Sequence, residues 1–504
     1  MSVRCAVRAF VVSALALATV PALVPGVAHA TTTAVDCGAN PAALQSVITA
    51  ATAGDTLNVT GHCIGNLTID KNLTLQGDGS TVLDGNGTGR SLDIPGSPTV
   101  DLSDLTVTGG NNADGGGISI RSPSGGPAHV TLTRVTVSGN TASGGLADGG
   151  GIHNASGALT MLDSTVMGNT ATARIAEGGG IFNGGTLTLV DSTVSGNTAT
   201  GDINARGGGI ASPQSGGQPD ITLINSTISG NSAMGTGTVG SGRGGGIWAE
   251  IGTLSMRSST VGGNSATGAV ASAGGIWAPG IYVYATATII SGNTGSQAGF
   301  SGPDCFADLA SGRYNLVGDT TGCTGLDATD IQNVNAMLDT LKNNGGLTQT
   351  MSLLPGSPAL DAIPLIGGVC LVGQPTDQRG VARPQGPRCD VGAVEVRQGS
   401  TTATTTTVGS SDTSATLGQA VTFIATVCTT LPATPTGTVT FRDGGSGPIL
   451  ASALSLVSGG GTHCAQSIFT TSSLAAGRHK IVAIYSGDGV NTKSRGSVIQ
   501  RVKA

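Results

Sequence analysis

Residues 178–197 read GGGIFNGGTLTLVDSTVSGN, one copy of a repeat that returns about every 29 residues through the middle of the chain. Its first block recurs as GGGIHN (149–154), GGGIAS (207–212), GGGIWA (244–249) and AGGIWA (273–278). Its last block recurs as TVSGN (136–140), TVMGN (165–169), TISGN (227–231), TVGGN (260–264) and IISGN (289–293). A fixed period of this size is typical of stacked repeats, in which each unit buries its apolar face against its neighbours.

Apolar and polar residues alternate within each copy, as Leu187, Leu189 and Val194 illustrate. Period-two alternation predicts strands rather than helices. We therefore predict an all-β fold, a right-handed parallel β-helix with one coil per repeat and about 4.8 Å between coils. The glycine runs are predicted to be turns, because they lack the Lys-Ser/Thr and the strand-to-helix context of a phosphate loop.

The asparagine that ends each repeat is predicted to lie at one turn of every coil. These asparagines are residues 111, 140, 169, 197, 231, 264 and 293. Stacked coils would place them in a ladder whose side-chain amides bond from coil to coil. The insertions that follow them, such as 141–148 and 232–243, are predicted to be loops.

The first thirty residues have the features of a secretory signal peptide. Arg4 and Arg8 are basic, residues 9–20 are nearly all apolar, and Ala28 and Ala30 frame a small-x-small cleavage site. No later stretch reaches the ~18 apolar residues of a spanning helix. We predict a secreted protein, or one held at the cell surface, with no membrane span.

Charge and cysteine content narrow the possible partners. Without residues 1–30 the chain carries 21 basic and 29 acidic side chains, a formal charge of −8, and aromatic residues make up 3% of the sequence. Nucleic acid is therefore not a predicted partner. Eight cysteines remain, which suits an oxidising compartment. Nearest-neighbour pairing predicts the disulfides Cys37–Cys63, Cys305–Cys323, Cys370–Cys389 and Cys428–Cys464.

Residues 31–99 are predicted to form an N-terminal cap and the first coils. Asn40 is a suitable N-cap and Pro41 a suitable first helical residue, and Leu44, Val47 and Ile48 would form one apolar face. A stack of strands needs such a cover, because its open end exposes strand edges and apolar surface. The repeat itself is predicted to span residues 100–300.

Residues 301–396 depart from the repeat. They contain NGGLTQT, LLPGSPALDA, DQRG, ARP and CDVGAVE in this order between residues 344 and 395. This combination resembles the C-terminal region of choice-of-anchor Q proteins. The resemblance implies an exported right-handed β-helix, related to polymorphic outer-membrane-protein repeats, that ends in a surface-attachment module.

Residues 397–504 are predicted to be a short Thr-rich linker and an Ig-like sandwich. Short alternating runs such as TLGQAVTFIATV (416–427) and PTGTVTFRDG (435–444) are separated by Gly, Pro and Asp turns. Together with LAAGRHKIVAIYSGD (474–488), these runs resemble bacterial Ig-like repeats.

Arg134, Asp163 and Asp191 are candidate catalytic residues, because each lies six residues before the terminal asparagine of its coil. Stacking would bring Asp163 and Asp191 about 5 Å apart, where two carboxylates hold calcium or share a proton. The alternative is a polar corner between two strands, with Arg134 neutralising Asp163.

His153, Phe182, Trp248 and Trp277 are candidate ligand-binding residues. They follow the isoleucine of the GGGI block in the column Ser119, His153, Phe182, Ala211, Trp248, Trp277. If the isoleucines point inward, alternation sends this column outward, where flat aromatic faces bind sugar rings or protein partners. The alternative is that the insertions, especially 232–243, cover the column.

Two functions remain open at this point. The first is a non-enzymatic, monomeric binding or structural protein that engages an extracellular glycan or protein surface and needs no cofactor. The second is a polysaccharide lyase or glycoside hydrolase that acts on the lateral face of the β-helix. Calcium is expected only for the lyase, with Asp163 and Asp191 as its ligands.

Overall fold

A computed structural model of the chain describes residues 30–122, 126–214, 219–295, 302–365, 369–370, 375–397, 403–429, 434–445, 447–488 and 491–504. The predicted signal peptide lies outside the described residues, apart from Ala30. The described chain is almost entirely β, and its largest sheet is a long stack of parallel strands. The predicted parallel β-helix followed by an antiparallel Ig-like sandwich is confirmed.

Each central coil contributes three strands, which we name by their sequence. The GGGI strands are Leu67–Thr68, Leu92–Pro95, Ile118–Arg121, Ile152–Asn154, Ile181–Asn183, Ile210–Ser212, Ile247–Ala249 and the starts of Ile276–Thr286 and Cys305–Ser311. The TLTL strands are Thr32–Asp36, Thr56–Thr60, the starts of Leu73–Asp84 and Thr99–Thr108, His129–Thr133, Ala158–Leu162, Thr186–Val190, Asp220–Ile224, Thr253–Arg257 and the ends of Ile276–Thr286 and Cys305–Ser311. The TVSG strands are His62–Ile64, the ends of Leu73–Asp84 and Thr99–Thr108, Thr136–Ser138, Thr165–Met167, Thr193–Ser195, Thr227–Ser229, Thr260–Gly262, Ile289–Ser291, Leu316–Val317 and Ile331–Gln332. Cys323–Thr324 pairs with Ala307 and Asp308.

The alternation places one apolar column from each GGGI and TVSG strand, and two from each TLTL strand, inside the coil. Ile181, Leu187, Leu189 and Val194 are fully buried, and their counterparts stack above and below them in register. Burying each Leu or Ile side chain contributes about 1.5–3 kcal/mol, so the interior ladders stabilise the rod along its whole length.

The asparagine ladder is confirmed from Asn140 to Asn293. In each coil the Nδ2 group donates to Oδ1 of the asparagine in the next coil, at 2.9–3.0 Å, and so does the backbone N–H, at 3.0 Å. Asp304 closes the ladder, because its Oδ1 accepts from the backbone N–H and Nδ2 of Asn293 at 3.0 and 2.8 Å. Asn111 is not a member, since Val107 pairs with Val137 and the position equivalent to Asn140 is Gly110.

The segments between the ladder and the glycine runs are not loops. They form a second parallel sheet, which we name the lobe. Its strands are Thr141–Ser143, Leu146–Asp148, Thr170–Glu177, Thr198–Arg206, Ser232–Gly235, Ser241–Arg243, Ser265–Thr267 and Val270–Ser272. Inside it lies a cluster of alanines alone: Ala142, Ala147, Ala171, Ala176, Ala199, Ala205 and Ala233.

The described parts of residues 335–396 lie along the TVSG strands, and we name residues 335–396 the return segment. Thr193 Oγ1 donates to the carbonyl of Gln349 at 2.7 Å, and Thr227 Oγ1 donates to Gln378 Oε1 at 2.6 Å. Gln378 Nε2 also donates to Thr193 Oγ1 at 2.9 Å and to Thr348 Oγ1 at 2.9 Å. The described part of this segment therefore covers the later TVSG strands, whose outward Thr and Ser side chains are buried.

The N-terminal end of the coil stack is closed by a helix, Ala43–Ala50, whose Leu44 and Ile48 are buried. The helix begins two residues later than predicted. Asn40 Oδ1 accepts a hydrogen bond from the N–H of Ala42 at 3.2 Å. Asn40 therefore lies in the turn before the helix, and the N-cap residue is Ala42. All four predicted disulfides are present, and Cys37–Cys63 ties this cap to the first coils.

The C-terminal residues form two antiparallel-rich sheets. One contains Thr404–Ser410, Val421–Thr429, Val457–Ser458 and Cys464–Thr471, and the other contains Ser414–Thr416, Thr438–Asp443, Ile449–Ser455, Gly477–Tyr485 and Ser494–Lys503. Phe423, Phe441 and Tyr485 are buried between them. Cys428 and Cys464 are opposite residues of neighbouring strands in the first sheet.

Candidate functional site

The aromatic column after the GGGI isoleucines is buried, which corrects its predicted exposure. The exposed fraction is 0% for Trp248, 6% for Phe182 and 8% for His153, and Trp277 is partly buried. The column does point out of the coil, as alternation requires, but the lobe folds over it. The second alternative, burial under the insertions, is therefore the correct one.

Specific contacts join the aromatic column to the lobe. The guanidinium carbon of Arg206 lies 4.7 Å from the Trp248 ring centroid, and that of Arg243 lies 5.3 Å from the Trp277 centroid. The two indoles stack at 5.9 Å, and His153 lies 4.8 Å from Phe182. Burial lowers the pKa of His153 to about 4, so this imidazole is neutral at physiological pH. Such cation–π pairs fasten the lobe to the rod, and the column has a packing role.

Arg134, Asp163 and Asp191 occupy the corner between a TLTL and a TVSG strand. Their φ angles are 53°, 50° and 51°, and the same left-handed geometry recurs in Asn225 and Ser258 of later coils. Asp and Asn adopt this conformation more readily than most residues, which gives Asp163 and Asp191 a backbone reason to occur at this corner. Arg134 does not neutralise Asp163 by an ion pair. It pairs with Asp104 of the preceding coil through two bonds of 2.6 Å.

Asp191 lies against the return segment. Thr348 Oγ1 donates to its backbone carbonyl at 2.8 Å. Burial raises the pKa of its side chain to about 6, and the charges of Asp163 and Asp377 act in the same direction. In the described part of the chain, no group of three or more His, Cys, Asp or Glu side chains is arranged to hold a metal ion.

The three lateral faces of the rod differ in what covers them. The lobe covers the GGGI face, and the return segment covers the later coils of the TVSG face. The outward residues of the TLTL strands are partly or fully exposed in every coil from Thr99 to Ala310. Within the described residues, the TLTL face is thus the long lateral surface that the chain leaves open to solvent.

Tyr282 and Tyr284 lie on this open face. Their exposed fractions are 62% and 49%, and their ring centroids are 6.5 Å apart. No hydrogen bond to a described residue engages either hydroxyl. Sequence reasoning missed this pair, although the run IYVYA (281–285) puts both tyrosines at the outward positions that Thr253 and Ser255 fill one coil earlier.

A row of carboxylates lies on the inner strand of the lobe. Asp148 pairs in register with Glu177 of the next coil and bridges to Asp114 of the preceding one. Glu177 forms an ion pair with Arg206, in which Nη1 of the arginine lies 2.7 Å from Oε1 of the glutamate. Burial, followed by the charges of Glu177 and Asp114, raises the pKa of Asp148 to about 7.

Asp148→Asn is expected to raise the midpoint of thermal unfolding above pH 7 and to change it little near pH 4. A carboxyl whose pKa is higher in the folded state binds its proton more tightly there, so the wild-type chain loses stability as pH rises from about 4 to 7. The asparagine side chain does not ionise, so the variant does not lose this stability as pH rises. Melts followed by tryptophan fluorescence at several pH values test it, with exposed Asp202→Asn as the control. A shift of equal size at every pH would contradict the assignment.

No helix in the described residues is long and apolar enough to cross a membrane. The four disulfides and the Ig-like domain are consistent with an extracellular protein.

Comparison with known proteins identifies the C-terminal domain. Residues 406–503 match the bacterial Ig-like domain (group 3) family. A search of curated proteins and a search of solved structures each found no match. The choice-of-anchor Q resemblance has no support from these comparisons and stays a prediction. The Ig-like domain and the β-helix together indicate a cell-surface structural or binding module.

Proposed function

We propose that this chain is a non-enzymatic, exported surface protein that binds glycans through the TLTL face, with Tyr282 and Tyr284 as the main contacts. The observation that carries the proposal is the placement of this exposed aromatic pair on the face that the lobe and the return segment leave open. Sugar rings present flat apolar C–H faces that pack on aromatic rings, and a tyrosine hydroxyl adds a polar partner.

The surroundings of the pair suit a polyhydroxylated ligand. Thr253 and Ser255 lie one coil before the tyrosines, and Asp308 and Ala310 one coil after them. Hydroxyl and carboxylate groups next to a stacking surface fix the orientation of a sugar by hydrogen bonds. Calcium and other cofactors have no part in this proposal.

The polysaccharide lyase or glycoside hydrolase alternative has less support. Two of its candidate residues, Asp163 and Asp191, lie at left-handed corners, and the third, Arg134, forms an ion pair with Asp104. An activity screen on uronate and neutral polymers still separates the two functions, because turnover of any polymer would favour the enzyme.

Tyr282→Ala/Tyr284→Ala is expected to weaken glycan binding at least tenfold, since a tenfold loss corresponds to about 1.4 kcal/mol and two stacking contacts are removed. Neutral hexasaccharides of β-1,4-glucan, β-1,4-mannan and β-1,4-xylan on an array, followed by calorimetric titration of the positives, provide the measurement. Tyr282→Phe/Tyr284→Phe should retain most of the affinity.

Val239→Ala is the matched control, because Val239 is an exposed apolar residue of the lobe, away from the TLTL face. Equal binding by the double alanine variant and the wild-type chain, or no binding by either, would overturn the proposal.

A further inference from the structure

We infer that the TLTL face binds a neutral linear polysaccharide along the axis of the rod, through a row of repeated subsites that ends at the tyrosine pair. This inference rests on the proposed function and names its ligand class and binding direction.

The geometry of the face is that of a long, narrow platform. Two outward columns run in register through eight coils: Thr99, His129, Ala158, Thr186, Asp220, Thr253, Tyr282 and Asp308, and beside them Asp101, Thr131, Thr160, Thr188, Thr222, Ser255, Tyr284 and Ala310. Parallel strands lie about 4.8 Å apart, so the columns extend for roughly 34 Å along the axis. Across the axis, a five-residue strand spans only about 17 Å.

The hydroxyls of the second column are available to a ligand. The side chains of Thr131, Thr160, Thr188, Thr222 and Ser255 are partly exposed, and none of them has a hydrogen-bond partner among the described residues. Each hydroxyl both donates and accepts, as sugar hydroxyls do. One such group per coil gives a polymer the same contact at each step along the rod.

The charges on the platform favour a neutral polymer. Asp101, Asp220 and Asp308 lie within the two columns, and neither column contains Lys or Arg in the described coils. Arg257 flanks the platform beside the tyrosines, where it can donate to sugar hydroxyls. A uronate polymer would place its carboxylates next to the three aspartates, and like charges disfavour that contact.

A length series of neutral oligosaccharides tests the row of subsites. With the polymer that scores highest on the array, affinity for the wild-type chain should rise at least tenfold from the disaccharide to the octasaccharide, because each added subsite is engaged intramolecularly. Thr188→Val/Thr222→Val should reduce this gain to less than threefold and leave disaccharide binding at the tyrosines unchanged. Valine keeps the shape and the strand preference of threonine, so the fold is preserved.

Thr165→Val is the matched control, because Thr165 is a partly exposed threonine on the TVSG face, and it should leave the length dependence intact. Equal affinity for the disaccharide and the octasaccharide would overturn the inference and leave the proposed function standing. Octagalacturonate binding as tight as that of the neutral octasaccharide would also overturn it. If the wild-type chain binds no oligosaccharide of any length, the proposed function itself is contradicted.

Discussion

Asn197→Ala is expected to lower the free energy of unfolding of the β-helix by about 3–5 kcal/mol. Asn197 is fully buried, and its Oδ1 accepts from the backbone N–H and Nδ2 of Asn169, both at 3.0 Å. Its Nδ2 donates to the carbonyl of Val166 at 3.0 Å and to Asn231 Oδ1 at 2.9 Å. Each buried polar group left without a partner costs about 1–3 kcal/mol, and the substitution affects several at once.

Tryptophan fluorescence during urea unfolding measures this loss. Both tryptophans of the chain, Trp248 and Trp277, lie in the β-helix, so the signal is independent of the Ig-like domain. Asn111→Ala is the control, because Asn111 is exposed and lies outside the ladder. A shift no larger than that of the control would show that the ladder does not stabilise the coils.

Arg383→Met is expected to disrupt the internal packing of the return segment and thereby to release it from the rod. Arg383 and Glu395 form an ion pair of 3.1 Å, with side chains only 2% and 1% exposed. Arg383 also donates to the carbonyls of Asp390 and Gly392 at 3.0 and 2.7 Å. Removing one partner of a buried pair costs about 3–5 kcal/mol, because the other charge is left buried and uncompensated.

Limited proteolysis measures this release. Cleavage within residues 335–396 should become at least tenfold faster, while tryptophan fluorescence still reports a folded β-helix. Arg388→Met serves as the control, since Arg388 is exposed in the same segment. Unchanged cleavage in the Arg383 variant would mean that other contacts, such as those of Gln378, hold the segment alone.

The coil architecture could be predicted from the sequence because its physical requirements repeat. Ile181, Leu187 and Val194 recur at the same positions of successive coils, and Asn197 marks the same turn in each. The disulfides were predictable for a related reason: their partners are near neighbours among the cysteines, as in Cys305–Cys323.

The coverings of the rod were not predictable in the same way. The lobe buries alanines such as Ala171 and Ala199, whose weak apolar signal makes the segments read as polar loops. The return segment reaches the rod through pairs distant in sequence, such as Thr193 with Gln349. Because these two layers decide which faces are open, sequence alternation alone could not show that Trp248 is covered or that Tyr282 and Tyr284 are exposed.

The asparagine ladder has a direction, and this has a consequence for how such a rod changes length in evolution. At every member from Asn140 to Asn293, Oδ1 accepts from the coil before it, and the backbone N–H and Nδ2 donate to the Oδ1 of the coil after it, whereas the Asp304 carboxylate only accepts. Duplication or deletion of one whole coil between these ends leaves every amide paired. The ladder therefore permits the rod to gain or lose one repeat at a time, with Gly110 and Asp304 as the fixed ends of the ladder.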